Sequence, residues 1–190
     1  MPSLSQLLPT LVKEPLPQHL VNALRHEGLH EIPGVKNNPE LMKILDWADG
    51  RQDGRTLGAQ DDDEAYCSKG HCAEYEIVGI RSTRNPMARS WLNWKDGVTL
   101  NGPAMGCTVI LSRPPSPTLG HVFWSIGRTA AGMIVGYGYN QKDSVCASVF
   151  DPQRIIGYRW AKALPLPKAI GFLKLPLLTL ADGRVSSNEA

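Results

Sequence analysis

Downstream of Gly106 the chain breaks into short apolar runs rich in β-branched and aromatic residues: "CTVILS", "HVFWSIG", "GMIVGYGY", "VCASVF" and "IIGYRW". Pro, Gly, Asn and Asp clusters separate them. Runs of this length and texture fold as strands joined by tight turns. The upstream half reads differently. From Pro17 to about Glu27, Leu20, Val21, Ala23 and Leu24 predict a short amphipathic helix. In "NNPELMKILDWA", Asn38 can cap, Pro39 takes the first helical position, and Leu41, Ile44, Leu45 and Ala48 form one stripe. A third helix opens at Cys67 and runs to about Val78, and "MARSWLNW" adds a helical turn. Helices first and strands afterwards predict an α+β fold, with N-terminal helices packed on an antiparallel sheet of about five strands.

The rest of the chain is punctuation. Residues 1–17 carry Pro9, Pro15 and Pro17 and read as an irregular arm; "DGRQDGRTLGAQDDDE" reads as a polar loop ending in the acidic run Asp61, Asp62, Asp63 and Glu64. Residues 163–190 mix Pro with apolar residues and end polar, a tail that either wraps its own domain or docks on a partner. The expected division is an arm (1–17), one domain (18–162) and a tail (163–190), because 190 residues with 42% hydrophobic content bury one core.

Charge excludes some classes of partner. Twenty Lys and Arg against eighteen Asp and Glu give a net charge of +2 with no basic stripe, so nucleic acid is not an expected partner. The first twenty residues lack a charged n-region and their apolar run is broken by prolines, so neither a signal peptide nor an anchor is expected, and no stretch is apolar enough to span a bilayer. The four cysteines, Cys67, Cys72, Cys107 and Cys146, are expected to be unpaired thiols, with two disulfides the lesser alternative.

Residues 26–30, "HEGLH", match H-E-x-x-H, in which two histidines one helical turn apart grip zinc. The pattern requires one continuous helix. Gly28 between the histidines and Pro33 just beyond instead mark a helix stop, with Gly28 at the left-handed position past its end. No metal is therefore expected, and His26 and His30 read as surface residues at a helix end.

Cys67 occupies a chemically special position. At a helix start, unpaired N–H groups and the dipole stabilise a thiolate, which lowers the cysteine pKa and lets it attack an acyl carbon. A base must come from elsewhere. His121 opens the run "HVFWSIG" behind Gly120, which admits another backbone or a substrate at close range. Asn140 ends the following run, and in an antiparallel hairpin it would lie beside His121 and orient the imidazole.

Together the segments "EIPGVKNNPEL", the acidic residues before "YCS", "ARSWLNW", "GHVFW", "YNQKDSV" and "IIGYR" resemble the papain-like CHAP and NlpC-like cysteine peptidase superfamily of bacterial and phage cell-wall hydrolases. The likeness is to a subgroup of small phage and prophage proteins and covers about residues 26–160. It implies Cys67 as nucleophile, His121 as general base and acid, and Asn140 as the residue orienting it, with no cofactor. Aromatic rings suit sugar faces and peptide stems, so Tyr66, Trp91, Trp124 and Tyr139 are the expected substrate contacts, with Trp94 and Tyr137 as further cleft candidates. Core packing competes for at least half of these rings. The chain departs from the family pattern at Tyr66, where relatives carry Trp, at Tyr139, where they carry Gly, at Gly138, where some carry Glu, and at Cys107, where Asp is common.

The resulting expectation is a peptidoglycan hydrolase, a stem-peptide endopeptidase or N-acetylmuramoyl-L-alanine amidase. It would be made in the cytoplasm, act on the bacterial wall and be phage-associated, with residues 1–17 and 163–190 available to dock on virion or tail proteins. The alternatives are a non-enzymatic virion or tail protein retaining the fold, and a cysteine peptidase on non-wall substrates.

Overall fold

The computed structural model describes residues 3–33, 36–49, 65–180 and 185–186. The acidic run Asp61–Glu64 and most of the expected polar loop lie outside them. Six strands form one antiparallel sheet, and the helices precede nearly all of it: α1 (Leu4–Leu11), α2 (Gln18–Ala23), α3 (Pro39–Asp49), α4 (Cys67–Ile77), then β1 (Gly97–Thr99), β2 (Thr108–Arg113), β3 (Ser116–Arg128), β4 (Ile134–Gly138), β5 (Cys146–Phe150) and β6 (Ile155–Ala161). The spatial order is β1-β6-β2-β3-β4-β5. The expected α+β class is therefore present, with one strand more than expected. β1 is three residues long and pairs only with β6, so it carries too little alternation to be read locally.

Local chemistry accounts for the helix ends. Asn38 Oδ1 accepts from the backbone N–H groups of Glu40 and Leu41 at 3.0 and 3.3 Å and so caps α3. α2 passes into a 3-10 turn at Leu24–His26, and Gly28 follows at φ +88°. The "HEGLH" residues are thus split between a helix end and an extended segment, and His30 bridges to Ser144. The arm corrects its expectation. Residues 4–11 are helical, with Pro9 inside the helix, because Leu4, Leu7 and Leu8 share a face that packs into the core, Leu8 completely. Burial of that stripe outweighs the proline signals.

The sheet separates two apolar clusters. On one face Val122, Trp124 and Ile126 of β3 meet Cys67, Cys72 and Tyr75 of α4, Trp91 and Trp94, and the buried leucines of α1 to α3. On the other, Phe123 joins Val109 and Leu111 of β2, Ile134 of β4 and Phe150 of β5. This alternation along β3 follows from the period of two in a strand. The tail lies on its own domain: Leu175 and Leu178 are buried, Arg128 N–H donates to Pro176 O at 2.9 Å, and Val185 bridges to Val149. No described helix is long and apolar enough to cross a membrane.

Candidate active site

Cys67 is the first residue of α4, as the sequence predicts. Its side chain packs against β3 at Val122, whose backbone reaches the thiol, and the residue is 6% exposed. The expected lowering of its pKa is not what the surroundings produce. Burial dominates and pushes the Cys67 thiol up to about 11, while the Val122 and Ser68 backbone and the charge of Arg113 pull in the opposite direction. All four cysteines are free thiols.

His121 is fully buried, in the interior of β3 rather than at its start, because the strand begins at Ser116. It pairs with Leu111, and the preceding Gly120 is required by close packing: a Cβ there would meet Leu111 O at 2.6 Å. The His121 ring lies on the Phe123 face, 6.0 Å from the Phe123 ring and 5.6 Å from that of Phe150. Cys67 belongs to the opposite cluster and meets the strand one residue along, at Val122.

The third residue comes from the β4–β5 loop. β3 and β4 pair at Trp124 and Tyr137, and Asn140 follows two residues after β4 ends at Gly138. Asn140 is 1% exposed and left-handed at φ +57°, a conformation Asn enters more readily than most side chains. Its Nδ2 donates to Glu31 Oε1 at 3.1 Å, which fixes the amide's orientation. Its Oδ1 is buried and without a hydrogen-bond partner. An acceptor in that state costs free energy unless a donor reaches it.

Glu31 is the residue the sequence reasoning missed as a site member. It stands in the "EIPG" segment, which docks on the β4–β5 loop: Gly28 N–H donates to Val145 O at 2.9 Å, Glu31 N–H to Asp143 O at 2.9 Å, and Val145 N–H to Leu29 O at 2.7 Å. The segment was legible as a motif; its pairing with a loop more than a hundred residues away was not. Tyr66, adjacent to Cys67, completes the group. Burial and then the Glu31 carboxylate hold its hydroxyl above the usual tyrosine range, and Asn140 acts against them.

The expected aromatic contacts need correction. Tyr66, Trp91, Trp124 and Tyr139 are all 0% exposed, and Trp94 and Tyr137 are equally core residues. Trp91 Nε1 donates to Ser68 Oγ at 3.0 Å, Trp124 stacks on His71 with centroids 3.9 Å apart, and Tyr137 donates to Ala23 O at 3.1 Å. These rings are the filling between helix α4 and the sheet, so none offers a face to a ligand in this state. Tyr139 fills the space above Gly70, where a Cβ would fall 2.2 Å from its ring. Its hydroxyl donates to Glu74, whose carboxylate also meets His26 Nδ1 at 2.8 Å and Asn22 Nδ2 at 2.6 Å. His26 is thereby a structural partner of α4 rather than a surface residue.

His71 is not aimed at Cys67. Its Nε2 hydrogen bonds with Thr108 Oγ1 at 2.9 Å, and burial holds the imidazole well below its usual pKa. Among the described residues no group of three or more His, Cys, Asp or Glu is placed to hold a metal ion. Comparison with protein-family models, with curated proteins and with solved structures gave no match.

Proposed function

We propose that the chain is a papain-like cysteine hydrolase that cleaves an amide bond of peptidoglycan. The observation that carries this reading is the state of Asn140: its amide is turned by Glu31 so that a buried, unpartnered oxygen remains in the loop that follows β4, the strand paired with β3. That is what an orienting residue supplies to an imidazole N–H. Cys67 stands at the start of α4 against Val122, and the reaction requires the His121 ring, which lies with Phe123 on the other face of β3, to reach it. In the reaction the Cys67 sulfur attacks the amide carbonyl carbon as His121 takes the thiol proton. The leaving amine then collects that proton, and water activated by His121 hydrolyses the thioester. The helix N-terminus stabilises the developing negative charge. The choice of peptidoglycan, and of a phage-borne or lytic setting, rests on the resemblance of the sequence segments to wall hydrolases.

A second reading is favoured by one observation. A thiol pushed up to about 11 and an imidazole sharing the Phe123 face also describe a scaffold that keeps the residues without using them, as a virion or tail protein would. Digestion of purified peptidoglycan separates the two, with the released fragments identified by mass. The hydrolase reading expects amide-cleaved products from the wild type and none from Cys67→Ala. Intact peptidoglycan after treatment with folded wild-type protein moves the assignment to the structural role.

A further inference from the structure

The tail has an inner and an outer surface of different character. Inward, Leu175 is buried and Phe172 partly buried in the Phe123 cluster, and Leu178 is buried above Gly127 of β3. Outward, Leu173 at 78%, Leu166 at 64% and Leu177 at 57% are the three most exposed large apolar side chains among the described residues. The backbone beside each is fastened. Trp160 Nε1 donates to Pro165 O at 3.0 Å, Gly171 N–H to Pro103 O at 2.8 Å, and Leu178 N–H to Arg128 O at 2.9 Å. The leucines are therefore held outward by an anchored chain. A single exposed leucine is ordinary, but three in one short anchored segment mark a contact surface.

Charge follows the same segment. Between Asp151 and Asp182 the sequence has no acidic residue, while Arg154, Arg159, Lys162, Lys168 and Lys174 all fall there. The two arginines are spent on the domain, Arg154 on Ser112 O and Arg159 on Trp94 O. The three lysines are exposed and interspersed with the leucines. Lys162 Nζ donates to Lys95 O at 2.6 Å, and the Lys168 and Lys174 ammonium groups form no ion pair with a described residue. Glu14 touches the segment, but through the Lys168 backbone N–H at 3.4 Å. On a chain with a net charge of only +2 this is a local excess of cations. An acidic protein and an anionic bilayer would both answer that charge. The mixture of lysine with leucine favours the bilayer, because lysine is depleted at protein–protein interfaces. At a membrane surface its stem lies along the apolar region with the ammonium at headgroup level, and leucine enters the acyl boundary. The 3-10 turn Phe172–Lys174 sets one such leucine directly beside a lysine.

We infer that the outer surface of residues 162–177 rests on an anionic lipid bilayer. Leu166, Leu173 and Leu177 enter the headgroup–acyl boundary, and Lys162, Lys168 and Lys174 meet the lipid phosphates. The contact is peripheral and does not depend on the hydrolase reading. The test is cosedimentation of the full chain with two kinds of vesicle, phosphatidylcholine alone and phosphatidylcholine with phosphatidylglycerol in equal parts. The mixed vesicles are expected to bind about tenfold more tightly or better. Lys168→Glu/Lys174→Glu should abolish that preference, and Leu173→Ser/Leu177→Ser should weaken binding to the mixed vesicles about tenfold. All four side chains are exposed, so the thermal melts of both variants should match the wild type, which separates a lost surface from a lost fold. No binding to the mixed vesicles, equal binding to the two kinds, or unchanged binding by either folded variant overturns the assignment. Capture on immobilised polyglutamate without vesicle binding also overturns it, and gives the surface to an acidic protein instead.

Discussion

At the scale of single residues, burial sets the chemistry. Cys67 and Cys107 are both pushed up to about 11 by the same cause, so helix position alone does not activate Cys67. If the hydrolase reading holds, its thiolate arises by transfer to His121 during attack, and orientation of that imidazole limits the rate. Asn140→Ala should then lower kcat by about a hundredfold or more with KM little changed, and Glu31→Gln should lower it less, measured as fragment release from peptidoglycan. Buried histidines supply a stability prediction that does not depend on activity. His19 is fully buried and burial lowers its pKa to about 4, with a weaker opposing pull from the Gly106 carbonyl. A histidine depressed in the folded state binds its proton more readily when unfolded. Its contribution is therefore fully present above about pH 6.5 and lost as the pH falls from there towards 4. The loss amounts to about 3 kcal/mol at the acid end for this residue. Thermal melts from pH 7 to 4 should show a steep fall in Tm that His19→Gln makes shallower, and an unchanged slope would contradict the assignment.

At the scale of elements, α4 makes a close joint with the residue just past β4. In the sequence Tyr139 stands out only as a departure from the family pattern, and Gly70 carries no signal of its own. The structure makes them one feature, a glycine under a ring whose hydroxyl is held by Glu74. Gly70→Ala should destabilise by roughly 1–3 kcal/mol through overpacking. Combined with Tyr139→Ala it should cost less than the sum of the two single changes, a coupling that chemical denaturation of the four proteins measures. The elements themselves were largely legible. Capping at Asn38, the stop at Gly28 and the five apolar runs each state a local preference that the fold obeys. What escaped were features decided by distant partners. α1 forms because Leu8 finds the core in spite of Pro9, β1 because β6 is there to pair with, and Glu31 joins Asn140 because the "EIPG" segment docks on a loop more than a hundred residues away. The aromatic residues were misread for the same reason. A tryptophan at a cleft and one in a core look alike until the opposite layer is known, and here Trp91 and Trp124 fill the space between α4 and the sheet.

At the scale of the whole molecule, the described residues of the arm and of the tail pack on the domain, which is the first of the two roles expected for the tail. Leu8→Ala should cost about 2–5 kcal/mol, the range for truncating a buried leucine, and a loss below about 0.5 kcal/mol in denaturant titration would contradict the packing of the arm into the core. Along β3, Cys67 of α4 meets Val122 on one face, while the His121 ring lies with Phe123 and Phe150 on the other. The claim that Cys67 and His121 act as a pair is tested most directly by alkylation, which needs no substrate. The rate of reaction with iodoacetamide at each of the four cysteines, followed by peptide mass from pH 6 to 9, gives an internal comparison with Cys107. The account predicts that Cys67 reacts faster than Cys107, and that His121→Ala removes the advantage. Equal, slow labelling of Cys67 and Cys107 in the folded wild type would contradict it.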